Sequence, residues 1–193
     1  MIHISPGNTK LGKIPNISLP PIITCGEDVA CRKLCYAVKF FKMYPGVKTA
    51  WEENLSEYLK DPDNYFNEIG EYLKRRSVKY FRFHVSGDIP DKDYLFRIIK
   101  LAEKNKNTKI RLFTKRYDWA SELSSKFPPN LNVALSAWPG VNLENKNNLP
   151  VAWLLDRSNI DERIPGDVFK CKDDCSKCKV CWNTKRDVVF HKH

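Results

Sequence analysis

The chain has 193 residues, of which 42% are apolar and 12% aromatic, and this content is enough to bury one hydrophobic core. Its formal charge of +10, from 33 Lys and Arg against 23 Asp and Glu, attracts polyanions such as nucleic acid. No secretory leader opens the sequence, and no apolar stretch reaches the ~20 residues that a bilayer requires. We therefore expect a cytoplasmic protein with no membrane partner, in which thiols stay reduced.

The segment from residue 14 to residue 25 contains prolines that exclude a helix and apolar residues that favour an extended chain. We expect it to deliver Cys25 from a strand or a strand-like edge. The next part of the chain has apolar residues at helical spacing, which predicts three helices, over residues 36–43, over residues 49–59 and from Pro62 onwards. Tyr44-Pro45-Gly46 ends the first of these helices, and Asp61 caps the third.

From residue 79 onwards, strand patterns alternate with helix patterns. Strands are predicted over residues 79–85, 109–113, 131–135, 151–155 and 188–190, and helices over residues 91–104 and 117–126. Strands separated by helices indicate βαβ units. We therefore predict the α/β class, with a mainly parallel sheet that is either open or partly closed as a (β/α) barrel. Residues 1–193 form a single domain in this interpretation, and residues 166–186 form a Cys-rich, cluster-binding loop within it.

Small or polar residues follow several of the predicted strands. The candidate binding residues at these strand ends are Ser86, Gly87, Asp88, Thr114, Lys115 and Ser136. Because ligands bind at the carboxyl ends of parallel strands, we expect these residues to converge on one pocket. The alternative is that they serve only as turn formers and helix caps.

The seven cysteines fall into two tight groups. Disulfides do not suit them, because seven is an odd number, no export signal is present, and basic neighbours favour thiolates. Cys25, Cys31 and Cys35 form the first group. Three thiolates in one loop can hold three irons of a [4Fe-4S] cluster and leave the fourth iron without a cysteine.

The second group is Cys171, Cys175, Cys178 and Cys181, which supplies four ligands within eleven residues. Four cysteines in one short loop resemble a ferredoxin-type run and could hold a complete [4Fe-4S] cluster. Zinc is the alternative at this site, although structural zinc sites usually have two cysteine pairs separated by a long spacer.

Several short motifs, spread along nearly the whole chain, together resemble the phage "gene product 88" family. They are Ser5–Asn8, Cys31–Ala37, His84–Asp88, Thr114-Lys115 and a closing Cys-rich loop before Val189–His191. If the chain is encoded by a phage, the resemblance implies a location in the host cytoplasm.

More distantly, the layout is similar to radical S-adenosylmethionine enzymes. The resemblance implies that Cys25, Cys31 and Cys35 hold a catalytic cluster whose open iron binds S-adenosylmethionine. It implies that Ser86, Gly87 and Asp88 face this cofactor. The four later cysteines would then hold an auxiliary cluster, and an electron donor would be a necessary partner.

Three functions follow from these patterns. The leading hypothesis is a small radical S-adenosylmethionine-like enzyme, in which the protein orients and shields the cofactor. The alternative is an iron-sulfur or zinc module that binds nucleic acid through its basic surface, or senses redox state, without catalysis. A third is plain electron transfer, which would leave the strand-end pocket without a purpose.

Overall fold

The computed structural model describes residues 1–26, 29, 31–32, 35–156 and 161–191. Within these residues, seven strands form one sheet in the order β1-β2-β3-β4-β5-β7-β6, and every pair of neighbouring strands is parallel. The strands are β1 (Asn16–Ile17), β2 (Tyr80–Phe83), β3 (Lys109–Thr114), β4 (Leu131–Ser136), β5 (Val151–Leu155), β6 (Phe169–Lys170) and β7 (Val188–His191).

Six helices accompany the sheet in the described part of the chain. They are α1 (Tyr36–Met43), α2 (Pro45–Lys60), α3 (Pro62–Arg75), α4 (Lys92–Lys104), α5 (Tyr117–Leu123) and α6 (Val180–Asn183), and a single 3₁₀ turn (Ser124–Lys126) extends α5. None of these helices combines the length and the apolar character that crossing a membrane demands.

The predicted α/β class with an open, mainly parallel sheet is confirmed. Its edge strands, β1 and β6, do not pair with each other within the described residues. Hydrophobic side chains on one face of the sheet pack against α3 and α4, and this layer contains Phe81, Phe83, Ile110, Leu112 and Val133. Because side chains alternate along a strand, Arg82, Arg111, Phe113 and Asn132 occupy the opposite face. The Cys-rich segment packs against that face.

Two helix starts follow the capping chemistry that the sequence indicates. The Asp61 carboxylate accepts a hydrogen bond from the Asn64 amide at 2.9 Å, and that of Asp91 accepts one from the Tyr94 amide at 2.8 Å. The prediction for α2 was wrong at its start, which lies at Pro45 instead of residue 49. Pro45 occupies the first helical turn, where its missing N–H is not needed, so it begins α2 as well as ending α1.

Two further sequence expectations need correction. Cys25 lies in a turn and not at a strand-like edge, because β1 contains only two residues and turns follow it from residue 21. The Cys-rich loop is also less irregular than expected, since it contains β6 and α6.

Candidate functional site

Two of the first three cysteines are buried next to the carboxyl ends of β2 and β3. Cys25 and Cys31 are both buried, and Cys35 lies near Cys31 at the start of α1. The Lys115 ammonium and the Asp88 carboxylate are both close enough to act electrostatically on Cys25 and Cys31. The structure thus brings the first cysteine group to the strand ends.

Asp88 joins the ends of the two strands. Its carboxylate accepts hydrogen bonds from the Thr114 hydroxyl at 2.7 Å, the Lys115 amide at 2.8 Å and the Ile89 amide at 2.8 Å. Asp88 is 1% exposed, so these bonds replace water at both carboxylate oxygens. Asp88 and Thr114 therefore fix the geometry of this edge and place Lys115 beside the thiols.

Gly87 allows the cysteine loop to lie directly against the end of β2. Its φ is +77°, and a Cβ atom there would stand 2.7 Å from the Thr24 hydroxyl oxygen and 2.8 Å from the Leu19 carbonyl oxygen. Glycine meets both demands because it lacks a Cβ. The neighbouring Ser86 side chain is buried, and its hydroxyl has no hydrogen-bond partner among the described residues.

Arg116 fastens the loop that carries Cys25. Its guanidinium donates hydrogen bonds to the Thr24 carbonyl oxygen at 3.0 Å and to the Ile89 carbonyl oxygen at 3.1 Å. It also lies so close to Gly26 that a Cβ atom there would stand 2.6 Å from the Nη1 atom. This role of Arg116 is not apparent from the sequence.

Burial and neighbouring charges shift the pKa values of this group. Desolvation, followed by the Asp88 charge, raises the pKa of Cys25 to about 11, and desolvation also raises the pKa of Cys31. Burial lowers the pKa of Lys115, but negative charge beside it, above all the Asp88 carboxylate, outweighs this effect, so the net pKa is raised. Without a metal the thiols stay protonated, and metal binding would release their protons.

Ser136, the remaining strand-end candidate, is the last residue of β4, and His84 directly follows β2. The Ser136 carbonyl oxygen accepts a hydrogen bond at 2.6 Å from the Tyr117 hydroxyl, which lies near Lys115 and Cys31. His84 is buried, and its Nε2 atom lies 3.2 Å from the Tyr94 hydroxyl. Burial lowers the pKa of His84 to about 3, so it is a neutral packed residue.

The four later cysteines line one cavity on the face of the sheet opposite α3 and α4. The other residues that line this cavity include Lys10, Arg82, Phe113, Phe190 and Trp182. Desolvation raises the pKa of Cys175 to about 11 and also raises that of Cys171. Cys171, Cys175, Cys178 and Cys181 therefore all line the same cavity.

Hydrogen bonds hold the Cys-rich segment against the sheet. The Trp182 indole donates to the Phe81 carbonyl oxygen at 3.0 Å, and the Asn132 amide donates to the Cys181 carbonyl oxygen at 2.9 Å. The Cys175 amide donates to the Lys10 carbonyl oxygen at 2.8 Å. The segment is thus bound both to the strands and to the beginning of the chain.

Two arginines beside these cysteines were not identified from the sequence. Arg82 of β2 and Arg111 of β3 are paired neighbours in the sheet. Their guanidinium carbons lie 4.8 Å and 4.2 Å from the centre of the Phe113 ring. The available signal is a charged residue within a parallel strand, since such strands are buried on both faces.

The described residues contain no group of three or more His, Cys, Asp or Glu side chains arranged to hold a metal ion. A cavity of about 410 Å³ opens elsewhere, at the amino-terminal ends of β4 and β5. Lys185 is its only charged lining residue, so it offers no comparable set of ligands.

Comparison with known proteins gives one result. The family model described as gene product 88 matches residues 4–184, so the chain belongs to the gene product 88 family. No curated protein and no solved structure matches the chain.

Proposed function

We propose that this member of the gene product 88 family is an iron-sulfur protein with two cluster sites. Cys171, Cys175, Cys178 and Cys181 form a closed site with four protein ligands. The first three cysteines form an open site beside Lys115. The observation that carries the proposal is the common cavity lined by all four later cysteines, next to two arginines.

A cluster fits the closed site better than a single zinc ion. The four cysteines lie within one short segment, as in ferredoxin-type runs, whereas structural zinc sites usually have two pairs separated by a long spacer. Zinc requires all its ligands at ~2.3 Å from one ion. Each thiolate of a cubane binds a different iron, so the four sulfurs stand further apart. Thiolates are also the preferred ligands of iron-sulfur clusters.

Metal analysis after anaerobic reconstitution tests this proposal. Two cubanes predict about eight irons and eight sulfides per chain, since each cubane contains four of each. Cys178→Ser and Cys31→Ser should each remove about four irons, and Ser176→Ala, a substitution within the same segment, should remove none. Stoichiometric zinc in place of iron, or no bound metal, would refute the proposal.

The open site supports a finer proposal, that this cluster binds S-adenosylmethionine. When bound to the reduced cluster, this cofactor supplies an adenosyl radical. The Lys115 ammonium provides a positive charge for the carboxylate of the ligand, and Asp88 holds that lysine in place. The Ser86 hydroxyl, which has no partner among the described residues, provides a free hydrogen-bonding group. Gly87 keeps the loop close to the strand end.

Product analysis tests the finer proposal separately. The reconstituted protein, reduced with dithionite in the presence of S-adenosylmethionine, should form 5'-deoxyadenosine and methionine. Lys115→Met should weaken cofactor binding about tenfold while the iron content stays unchanged, and Cys31→Ser should abolish cleavage. A fully loaded protein that leaves the cofactor intact would contradict the enzymatic proposal without affecting the cluster proposal.

A second candidate function, single-strand nucleic-acid binding, is favoured by the surface of α1. Phe40 and Tyr44 are 46% and 48% exposed, and their rings are stacked with centres 5.8 Å apart. Lys39 and Lys42 on the same helix are exposed. Aromatic rings beside lysines are typical of surfaces that stack bases and attract phosphates. Phe40→Ala should weaken binding to single-stranded DNA at least fivefold, and unchanged affinity would exclude this surface.

A further inference from the structure

Arg111 is a fully buried cation whose side-chain nitrogens find no hydrogen-bond partner in the described part of the chain. Its exposure is 0%, and its Nε, Nη1 and Nη2 atoms all lack a partner among the described residues. The Nε atom of Arg82 is likewise buried without one. A guanidinium carries five N–H donors, and burying it without an anion or an acceptor is strongly unfavourable.

The pairing of these two residues makes the arrangement more unfavourable. Arg82 and Arg111 occupy directly paired positions on adjacent parallel strands. Like charges in this relation repel each other. Stacking on the Phe113 ring compensates in part, since a ring face attracts a cation, but it satisfies none of the N–H donors. The pair therefore requires an anion that the described side chains do not supply.

The position of the arginines indicates which anion this is. Arg82 lines the cavity of the four later cysteines and acts electrostatically on Cys175. Arg111 lies close enough to Cys181 for their charges to interact. When four thiolates hold a [4Fe-4S] cluster, the assembly carries a net negative charge, and its sulfurs accept hydrogen bonds.

We propose that Arg82 and Arg111 form a cationic floor for the cluster of the four later cysteines, donate hydrogen bonds to its sulfurs and raise its reduction potential. This inference rests on the proposed function, because it requires a cluster at that site. Reduction adds one electron to the cluster and changes no covalent bond. Because the reduced cluster carries more negative charge, positive charge nearby favours the reduced form. Hydrogen bonds to the sulfurs act in the same direction.

A redox titration of the full chain tests the inference. The protein is reconstituted anaerobically, and each cluster is followed by electron paramagnetic resonance while dithionite is added. Arg111→Met should shift one of the two reduction steps, lowering the ratio of reduced to oxidised cluster at least tenfold at a given potential. For a one-electron couple this corresponds to about 59 mV. Arg111→Lys should shift that step less, because it keeps the charge and loses only the planar donors.

Two further variants make the result specific. Arg82→Met should move the same step in the same direction. If the Arg111→Met protein fails to fold, the Arg82→Met protein is used in its place. Arg75→Met removes an equal charge from an exposed position at the end of α3 and should move neither step.

The stability of the metal-free protein provides an independent measurement. Arg111→Met should raise the unfolding midpoint of the metal-free chain, because it removes a buried charge without a partner. It should also reduce the gain in stability that the wild-type protein shows on cluster loading.

The possible failures are distinguishable. A wild-type chain that binds no iron or sulfide would overturn the proposed function and this inference together. A loaded wild-type chain whose two reduction steps do not move in Arg111→Met or Arg82→Met would overturn the cationic floor alone. A metal-free Arg111→Met protein that is less stable than the wild type would show that the arginine serves packing instead of anion binding.

Discussion

Replacing Asp88 with asparagine tests whether this carboxylate joins β2 to β3 and keeps Lys115 beside the thiols. The side chains have nearly the same shape, so the substitution introduces no cavity. It replaces one carboxylate oxygen by an NH₂ group and removes the charge. The three hydrogen bonds at 2.7–2.8 Å that Asp88 accepts are the contacts at risk.

The expected loss can be calculated from those contacts. In Asp88→Asn the Oδ1 position can still accept from the Thr114 hydroxyl and the Ile89 amide, while the NH₂ group faces the Lys115 amide, a donor. One hydrogen bond to a charged group is then lost, at about 1.5–3 kcal/mol, and a buried N–H is left without a partner. Thr114 and Ile89 then donate to a neutral amide oxygen instead of a carboxylate, which weakens both of these hydrogen bonds. We expect the free energy of unfolding to fall by about 2–4 kcal/mol.

Urea denaturation of the metal-free protein measures this difference. Asp167→Asn is the matched control, because Asp167 is exposed, and it should change stability by less than ~0.5 kcal/mol. A loss below ~1 kcal/mol in Asp88→Asn would refute the reasoning. Such a result would mean that the Asp88 contacts do not hold the strand ends together.

Three further substitutions test other parts of the fold. Gly87→Ala should destabilise the protein by at least ~2 kcal/mol in urea, because the new Cβ would stand 2.7 Å from the Thr24 hydroxyl oxygen at a φ of +77°. His84 is neutral in the folded state, with its pKa lowered to about 3 by burial, but becomes protonated on unfolding below pH ~6.5. The free energy of unfolding should therefore have its full value above that pH and fall as the pH decreases, by up to ~1.4 kcal/mol per pH unit. His84→Asn should flatten the slope of this dependence between pH 6.5 and 5. Trp182→Phe removes the 3.0 Å hydrogen bond to the Phe81 carbonyl oxygen and should lower the free energy of unfolding by about 1–3 kcal/mol. It should also speed trypsin cleavage of the Cys-rich segment, and unchanged cleavage would contradict the anchoring role of Trp182.

The parallel sheet could be predicted from the sequence because the strand and helix periodicities are strong after residue 79. The contacts of Asp88 with Thr114 and Lys115 follow from the same topology, since parallel strands direct their carboxyl ends to one edge. The roles of the individual residues could not be predicted. Asp88 uses both of its oxygens in structural hydrogen bonds, and His84 packs against Tyr94, because three-dimensional neighbours decide what a polar side chain binds.

The helix boundaries, and the burial of residues on the second face of the sheet, were harder to predict. Pro45 interrupts one helical pattern and begins another, and a local pattern does not distinguish these roles. Arg82 and Arg111 have the polarity of surface residues, so a pattern of apolar positions assigns them to solvent. Their burial follows from the Cys-rich segment, which lies far along the chain from both arginines and covers that face of the sheet.

The attachment of the Cys-rich segment to the beginning of the chain has a consequence for biosynthesis. Lys10 pairs with Asp173 across a sequence separation of 163 residues, and a Cβ atom on Gly12 would stand 2.7 Å from the Ser176 side chain. Contacts between residues this distant in sequence form late in folding, because the whole intervening part of the chain must first be ordered. The four later cysteines follow β1 to β6 in the chain, so during translation any cofactor that they hold would be inserted only after those six strands have been synthesised.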